Sequence, residues 1–333
     1  MGRIDSLSTH IHLCYLCLST LYRHFIDTSP EHPHGAKNMN TLFTGKNIII
    51  QGITGAHGSF QAKSMLAAGT HIIAGTTPGK AGQFVENVPV FDSIKDIQQE
   101  IDSSIDTTII FVPAKFAKGA ILEAIAAEIP LIICITEGIP VHDMLIVNQH
   151  LKHSKSTLLG PNSPGAILPG VHKLGIIPPS MSLPGSVAIV SRSGTLTYET
   201  MAGLSAKNIG QKYVIGIGGD IIHGMGYLEC LELFQNDPDV THIVLIGEIG
   251  GQDEVIAANY IRQHVTKPVF AYIAGHHAPE GVQLGHAGAI LGSAAESAQA
   301  KTQALKDAGA TVSTSITGVI TSVSGIIEAH END

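Results

Sequence analysis

The sequence predicts an α/β fold made of two successive doubly wound halves. Three observations carry that reading. Short β-branched runs alternate with helix-length amphipathic stretches from residue 47 onward, thirty-six glycines punctuate the chain, and a proline-rich stretch near the middle separates two series of such units. At 333 residues and 44% hydrophobic content, each half is long enough to bury a core of its own.

In the first series Asn47 to Gln51 reads as a strand, followed by a helix from about Gly58 and a second strand at His71 to Ala74. Thr107 to Val112, a helix near Lys115 to Ala127, Leu131 to Thr136, a helix after Val141, and Thr157 to Leu159 complete it, with strands expected to run parallel. Pro161 to Pro184 has no helical or strand periodicity and reads as a connector. Behind it, Ser186 to Val190, Tyr213 to Ile217, His242 to Ile246 and Val269 to Ile273 repeat the open-sheet pattern. Ligands in such sheets gather beyond the strand C-termini.

Residues 1–38 differ in composition and are expected to be an extension, disordered or a non-native start, with Met39 as the biological one. Cys14 and Cys17 with His10 and His12 are too compressed for the separated ligand pairs of a zinc finger, so no metal is expected. The N-terminal Met-Gly-Arg-Ile-Asp-Ser matches a myristoylation pattern by chance, since no polybasic second signal follows. No run approaches the roughly 18 apolar residues of a membrane span. A formal charge of -9 argues against a nonspecific nucleic-acid binder. Cys134 and Cys230 fall in apolar runs, where buried free thiols in a reducing compartment are expected.

Three segments carry chemistry. Gly52-Ile53-Thr54-Gly55-Ala56-His57-Gly58 runs from the first strand into a helix, where backbone N–H groups at a positive helix end suit a phosphate-bearing ligand. Its G-x-x-G-x-x-G spacing departs from the dinucleotide G-x-G-x-x-G. After the second strand an NAD site would carry an acid; here stands Gly75-Thr76-Thr77-Pro78-Gly79-Lys80, and cationic Lys80 favours a phosphorylated ribose or other polyanion, as in coenzyme A. Nor is this a Walker A loop, since Ala81 stands where Ser or Thr would bind magnesium. In Gly285-His286-Ala287-Gly288-Ala289-Ile290 small neighbours leave an imidazole able to meet a bulky anion, although an ordinary loop histidine would read the same way in isolation.

Taken together with Ile135-Thr136-Glu137-Gly138-Ile139-Pro140, Gly160-Pro161-Asn162, Ser191 through Glu199 and Gly247-Glu248-Ile249-Gly250-Gly251, these phrases resemble, in order from about Asn47 to Gly309, the α subunits of succinyl-CoA synthetases. The resemblance implies a Rossmann-like CoA-binding domain, assigned to residues 39–165, followed by a flavodoxin-like doubly wound domain at 166–333. It implies reversible joining of succinate and CoA at the expense of ATP or GTP, in the tricarboxylic acid cycle, through succinyl phosphate and a phosphohistidine. That histidine is His286. Glu248 would accept the other ring N–H and select the nucleophilic tautomer. Ser191, Ser193, Gly194 and Thr195 would present donors to a phosphate at a helix N-terminus, with a simple N-cap as the plainer role, and Tyr198 would lie near a shared substrate site or pack in the core.

For CoA the resemblance carries over Thr54, Gly55, Ala56 and His57, then Lys80, then Ile135, Thr136 and Glu137. It also implies a β subunit of ATP-grasp fold holding Mg2+ with ATP or GTP, and a location in the cytoplasm of a bacterium or the mitochondrial matrix of a eukaryote. The chain departs from the family wording at Ala56 and His57, at Ser163 where many members carry cysteine, across Ile222 to Gly226, and at His276-His277. The nearest alternative is a malate-CoA ligase α subunit, since one added hydroxyl is accommodated by small changes. An NAD-dependent oxidoreductase and a noncatalytic CoA sensor stand further off.

Overall fold

The computed structural model describes residues 42–277, 283, 285–291 and 293–331, so the readings made on residues 1–38 lie outside the described residues. Its first half is a seven-stranded sheet of β1 (Ile48–Gln51), β2 (Ile72–Thr76), β3 (Phe84–Val85), β4 (Val88–Phe91), β5 (Thr107–Ile110), β6 (Leu131–Cys134) and β7 (Thr157–Leu159). The helices are α1 (Ala56–Ala67), α2 (Ile94–Glu100), α3 (Ala114–Ala126) and α4 (Val141–Leu151). The strands lie in the order β3-β4-β2-β1-β5-β6-β7. Setting aside the edge strand β3, which pairs antiparallel with β4, the parallel strands follow the Rossmann order, with the topological switch between β1 and β5. Every residue of β1, β5 and β6 is buried, Thr107, Thr108 and Gln51 included, which explains why these strands show no polar alternation.

The second half holds β8 (Gly165–Leu168), β9 (His172–Gly175), β10 (Pro184–Ser191), β11 (Gln211–Gly216), β12 (His242–Glu248), β13 (Val269–Ala274) and β14 (Thr311–Val312), in the order β14-β13-β12-β10-β11-β8-β9. Its helices are α5 (Gly194–Ser205), α6 (Tyr227–Asn236), α7 (Asp253–His264), α8 (Ala298–Asp307) and α9 (Ile316–Glu331). The parallel strands β10 to β14 have the flavodoxin order, and the switch falls between β10 and β12.

Two local readings need correction. The segment Pro161 to Pro184 is no mere connector: β8 and β9 form an antiparallel hairpin that extends the second sheet along β11. All eight of their residues are buried, so no polar alternation marks them. The close backbone approach also demands glycine, because a Cβ on Gly165 would lie 2.0 Å from the Leu174 carbonyl oxygen. In the first half, the β3–β4 hairpin went unread because its turn uses Glu86 and Asn87 at φ 48° and 66°, in place of the Asn-Gly that signals such a turn.

The β8–β9 hairpin also braces the first half. Lys173 Nζ donates to Gln61 Oε1 at 2.9 Å and Ser64 Oγ at 2.7 Å on α1, while Thr70 Oγ1 donates to the Lys173 carbonyl at 2.7 Å. Helix α1, which begins at the first glycine loop, is thereby fixed to the second sheet. Cys134 and Cys230 are buried and free. Among the described residues no helix is long and apolar enough to cross a membrane.

Candidate active site

At the switch of the second sheet, β10 ends on Ser191 and β12 ends on Glu248, so the loops that follow both strands open on the same edge. The His286 loop is packed into that edge. Gly288 N donates to the Gly219 carbonyl at 3.0 Å, and Gln283 bridges to Ile290. A Cβ on Gly219 would sit 2.3 Å from His286 Cγ, and one on Gly250 would sit 2.0 Å from the Gly288 carbonyl oxygen. Glycine at both positions lets the loop close down, leaving the His286 side chain 30% exposed.

His286 Nδ1 lies 2.7 Å from Glu248 Oε2. A carboxylate only accepts, so Nδ1 carries the proton and the neutral ring keeps its lone pair on Nε2. The hydrogen bond to Glu248 raises the His286 pKa above the usual imidazole value; burial opposes it, and the Glu248 charge adds to it.

Glu248 is itself held from two sides. Its backbone N–H donates to Glu254 Oε1 at 3.1 Å, and its carbonyl accepts from Lys301 Nζ at 2.7 Å. Lys301 also donates to the Gly250 carbonyl at 2.6 Å and pairs with the Glu254 carboxylate, both side chains being fully buried. Breaking one partner of such a pair leaves an uncompensated buried charge.

Arg192, Asp220 and Asp253 complete the ionic surroundings, and none of the three was picked out as a site residue from the sequence. The buried Arg192 guanidinium meets Asp253 Oδ2 through NH1 at 3.1 Å and the Asp220 carbonyl through NH2 at 3.1 Å, with Nε 3.4 Å from Glu248 Oε1. Burial pushes the Asp220 carboxyl up, against a hydrogen bond from Asn162 Nδ2 at 3.0 Å. A signal for Arg192 was present, since it sits within the motif Ser191 to Thr195; Asp220 comes from a loop and Asp253 from the start of α7, and only the sheet brings them together.

Ser191 is buried and its hydroxyl is spent within its own loop, donating to the Ser193 carbonyl at 2.9 Å and accepting from Ser193 N. Ser193 caps α5, its Oγ accepting from Leu196 N at 3.4 Å. Gly194 and exposed Thr195 therefore form the first turn of α5, where backbone N–H groups lack partners inside the helix. Tyr198 packs against the second-sheet core.

At the switch of the first sheet, Gly55 precedes α1, and Gly55, Ala56 and His57 are exposed at its N-terminus. Gly58 lets the helix settle on the loop, since a Cβ there would lie 2.2 Å from the Gly52 carbonyl oxygen. The Thr54 hydroxyl donates to Thr77 Oγ1 at 3.1 Å, drawing the turn of exposed Lys80 against this loop. Asp92 Oδ1 steadies that turn by accepting from Lys80 N at 3.1 Å and Ala81 N at 3.2 Å. Ile135, Thr136 and Glu137 follow β6 on the same edge, with Thr136 Oγ1 donating to the Val112 carbonyl at 2.6 Å.

A cavity of about 440 Å³ connects the two edges. Glu137 and Ile139 line it from the first half, Asn162 and Asp220 from the junction, and Gly285 and Ala287 from either side of His286. The segment after β6 and the His286 loop thus face one space, while the Thr54 to His57 loop and Lys80 are not among its lining residues. Among the described residues no group of three or more His, Cys, Asp or Glu is arranged to hold a metal ion.

Residues 43–138 match the family described as CoA binding domain, and residues 190–311 match the one described as CoA-ligase. Succinate–CoA ligase [ADP-forming] subunit alpha 1 of Archaeoglobus fulgidus is 46% identical over 281 residues, covering 84% of this chain and 96% of that protein. The corresponding α subunit of Aquifex aeolicus is 49% identical over 267 residues, covering 80% of this chain and 87% of its own. Among solved structures, ATP citrate lyase from Methanothrix soehngenii in complex with citrate and coenzyme A superposes with a TM-score of 0.77 at 24% identity. The match covers 86% of this chain and 51% of that one, so the chain spans about half of the larger polypeptide. That likeness concerns the fold.

Proposed function

This chain belongs to the family of ADP-forming succinate–CoA ligase α subunits, and from that premise we propose that His286 carries a phosphoryl group between nucleotide and succinate while the first sheet holds CoA. The observation that carries this reading is the 2.7 Å contact from His286 Nδ1 to Glu248, which reserves Nε2 as a nucleophile on a partly exposed ring. In the direction of succinyl-CoA, the Nε2 lone pair attacks the terminal phosphorus of ATP or GTP, and the bond to the nucleoside diphosphate oxygen breaks. A succinate carboxylate oxygen then attacks the same phosphorus; the N–P bond breaks, its electron pair returns to Nε2, and succinyl phosphate forms. Finally the CoA sulfur attacks the acyl carbon, phosphate leaves with the C–O pair, and the thiol proton passes to phosphate.

Glu248 stabilises the imidazolium character that develops as the N–P bond forms. The first turn of α5 offers its unpaired N–H groups to the phosphate, with Gly194 and Thr195 as the contacts. CoA phosphates lie on the Thr54 to His57 loop and the Lys80 turn, and the thiol enters the cavity past Glu137. In this reading residues 39–165 form the CoA-binding domain and 166–333 the ligase domain. The nucleotide and its Mg2+, which neutralises phosphate charge, sit on a β subunit of ATP-grasp fold. A bacterial chain would work in the cytoplasm and a eukaryotic one in the mitochondrial matrix.

The test uses the chain with its β subunit, Mg2+ and γ-labelled nucleoside triphosphate. An acid-labile, alkali-stable phosphate is expected on the chain, discharged by succinate plus CoA and abolished by His286→Asn. Undiminished labelling of His286→Asn sinks the reading. Discharge by malate and not by succinate would overturn the substrate assignment alone.

A further inference from the structure

The Arg192 guanidinium is divided unevenly. NH1 and NH2 make contacts of 3.1 Å to Asp253 and to the Asp220 carbonyl, whereas Nε and Glu248 Oε1 stand 3.4 Å apart without the alignment of a hydrogen bond. Both of those atoms are buried, and neither has a hydrogen-bond partner among the described residues. An unspent donor beside an unspent carboxylate oxygen is costly. Asp253, which takes NH1, also accepts from His223 Nε2 at 3.1 Å. A continuous line of contacts therefore runs His223, Asp253, Arg192, Glu248, His286.

We propose that Asp253, shared between His223 and Arg192, competes with Glu248 for Arg192, and that this competition sets how much of the Glu248 charge remains for His286. His223, Asp253 and Arg192 are then positioning residues that act on the ring through Glu248. The inference rests on His286 being the phosphate carrier.

The charges around each member agree in direction. Against burial, His223 and then Arg192 and Lys301 hold the Asp253 carboxyl well below the usual range. Arg192 is surrounded by Asp253, Glu254 and Glu248, with Tyr227 and the Asp220 backbone beside it, and these carboxylates outweigh burial to keep it charged. At His286, Glu248 and Asp220 favour the protonated ring, and burial and Arg192 oppose it. A guanidinium drawn closer to Glu248 therefore weakens the hold of Glu248 on the ring proton.

The experiment is the pH profile of phosphohistidine formation in a single turnover of the assembled enzyme, whose acid limb follows His286 ionisation. Asp253→Asn is expected to release Arg192 to Glu248 and move that limb to lower pH by roughly half a unit or more. His223→Leu, which strips Asp253 of its other donor, is expected to move it to higher pH. His223→Gln, which keeps an N–H, should restore the unaltered profile. A through-space charge effect of losing the Asp253 carboxylate has the same sign, so the Asp253→Asn shift is repeated on Arg192→Lys, which keeps the charge and loses the fork.

Competition predicts that the shift disappears on that background; a shift of equal size on both overturns the inference. If Arg192→Lys does not assemble, the His223 pair decides, since Leu and Gln profiles that coincide also overturn it. Failure of the unaltered chain to label at His286 would instead reject the phosphate-carrier reading.

Discussion

The two switch-point loops of this molecule are built on opposite plans. In the first sheet, Gly55, Ala56, His57 and Lys80 are exposed, and the hydrogen bonds nearby only shape the backbone. In the second, His286 leans on a carboxylate that is 8% exposed, which lies beside a guanidinium that is 4% exposed. The difference matches the tasks proposed for them. A polyanion is held by many donors, each replaceable and each screened by water. A phosphoryl carrier depends on one ring nitrogen with a fixed tautomer, which only a buried and fully determined partner supplies.

If that contrast is real, substitutions in the second loop should cost rate and those in the first should cost affinity. The largest effect after loss of His286 itself is expected from Glu248→Gln. The amide still accepts from Nδ1 but lacks the charge, and labelling should slow by about 10²-fold or more. Its pH profile carries a sign. Neutral imidazole is the nucleophile, so labelling rises with pH through the His286 ionisation, which Glu248 displaces to the alkaline side. In Glu248→Gln the rise should begin at lower pH than in the unaltered chain. Rapid-quench labelling across pH measures both effects, and an unmoved acid limb would mean that Glu248 does not govern the ring.

Paired glycine substitutions come next and separate the two loops directly. Gly219→Ala forces a Cβ to 2.3 Å from His286 Cγ and 2.6 Å from Nδ1, so the ring must move off Glu248. We expect labelling to fall by more than about tenfold while CoA affinity holds. Gly58→Ala forces a Cβ to 2.2 Å from the Gly52 carbonyl oxygen and distorts the first loop. Calorimetry should then show weakened CoA binding, with labelling by nucleotide preserved. A matching loss of both properties in both variants would show that the loops are one unit and erase the comparison.

Much of this arrangement was legible before any coordinates. Parallel strands such as β1, β6 and β12 are buried along their whole length, and unbroken apolar runs advertise that burial. The β1–α1 loop and the loop after β12 carry glycine where backbones approach closely, as at Gly58 and at Gly250, which packs on the His286 loop. The β8–β9 hairpin was hidden because its alternation is erased by burial on both faces and its ends are glycine. The ionic line behind Glu248 was hidden for a different reason. Arg192 lies in a motif that pointed to phosphate rather than to an ion pair, and Asp220, His223 and Asp253 come from separate segments that the sheet order makes neighbours. Ser191 shows the reverse case, where a hydroxyl expected to meet a phosphate is donated to the local backbone, whereas Ser193 Oγ accepts from Leu196 N and keeps its O–H to donate.

The smallest effects should come from the exposed side chains of the first loop, and they test the contrast from its weak side. Lys80 stands on a turn that Asp92 holds through backbone N–H groups, so Lys80→Ala removes a charge without removing the turn. Because the ammonium is solvated, its attraction for CoA phosphate is screened, and the dissociation constant should rise by roughly fivefold at low salt. The difference should fade as salt is raised, and the labelling rate should not change. His57→Gln, at the second position of α1, keeps the backbone N–H groups and should shift affinity by less than about twofold. A salt-independent loss of tenfold or more at either position would mean that CoA is gripped by buried, specific contacts there, and the first loop would then follow the plan of the second.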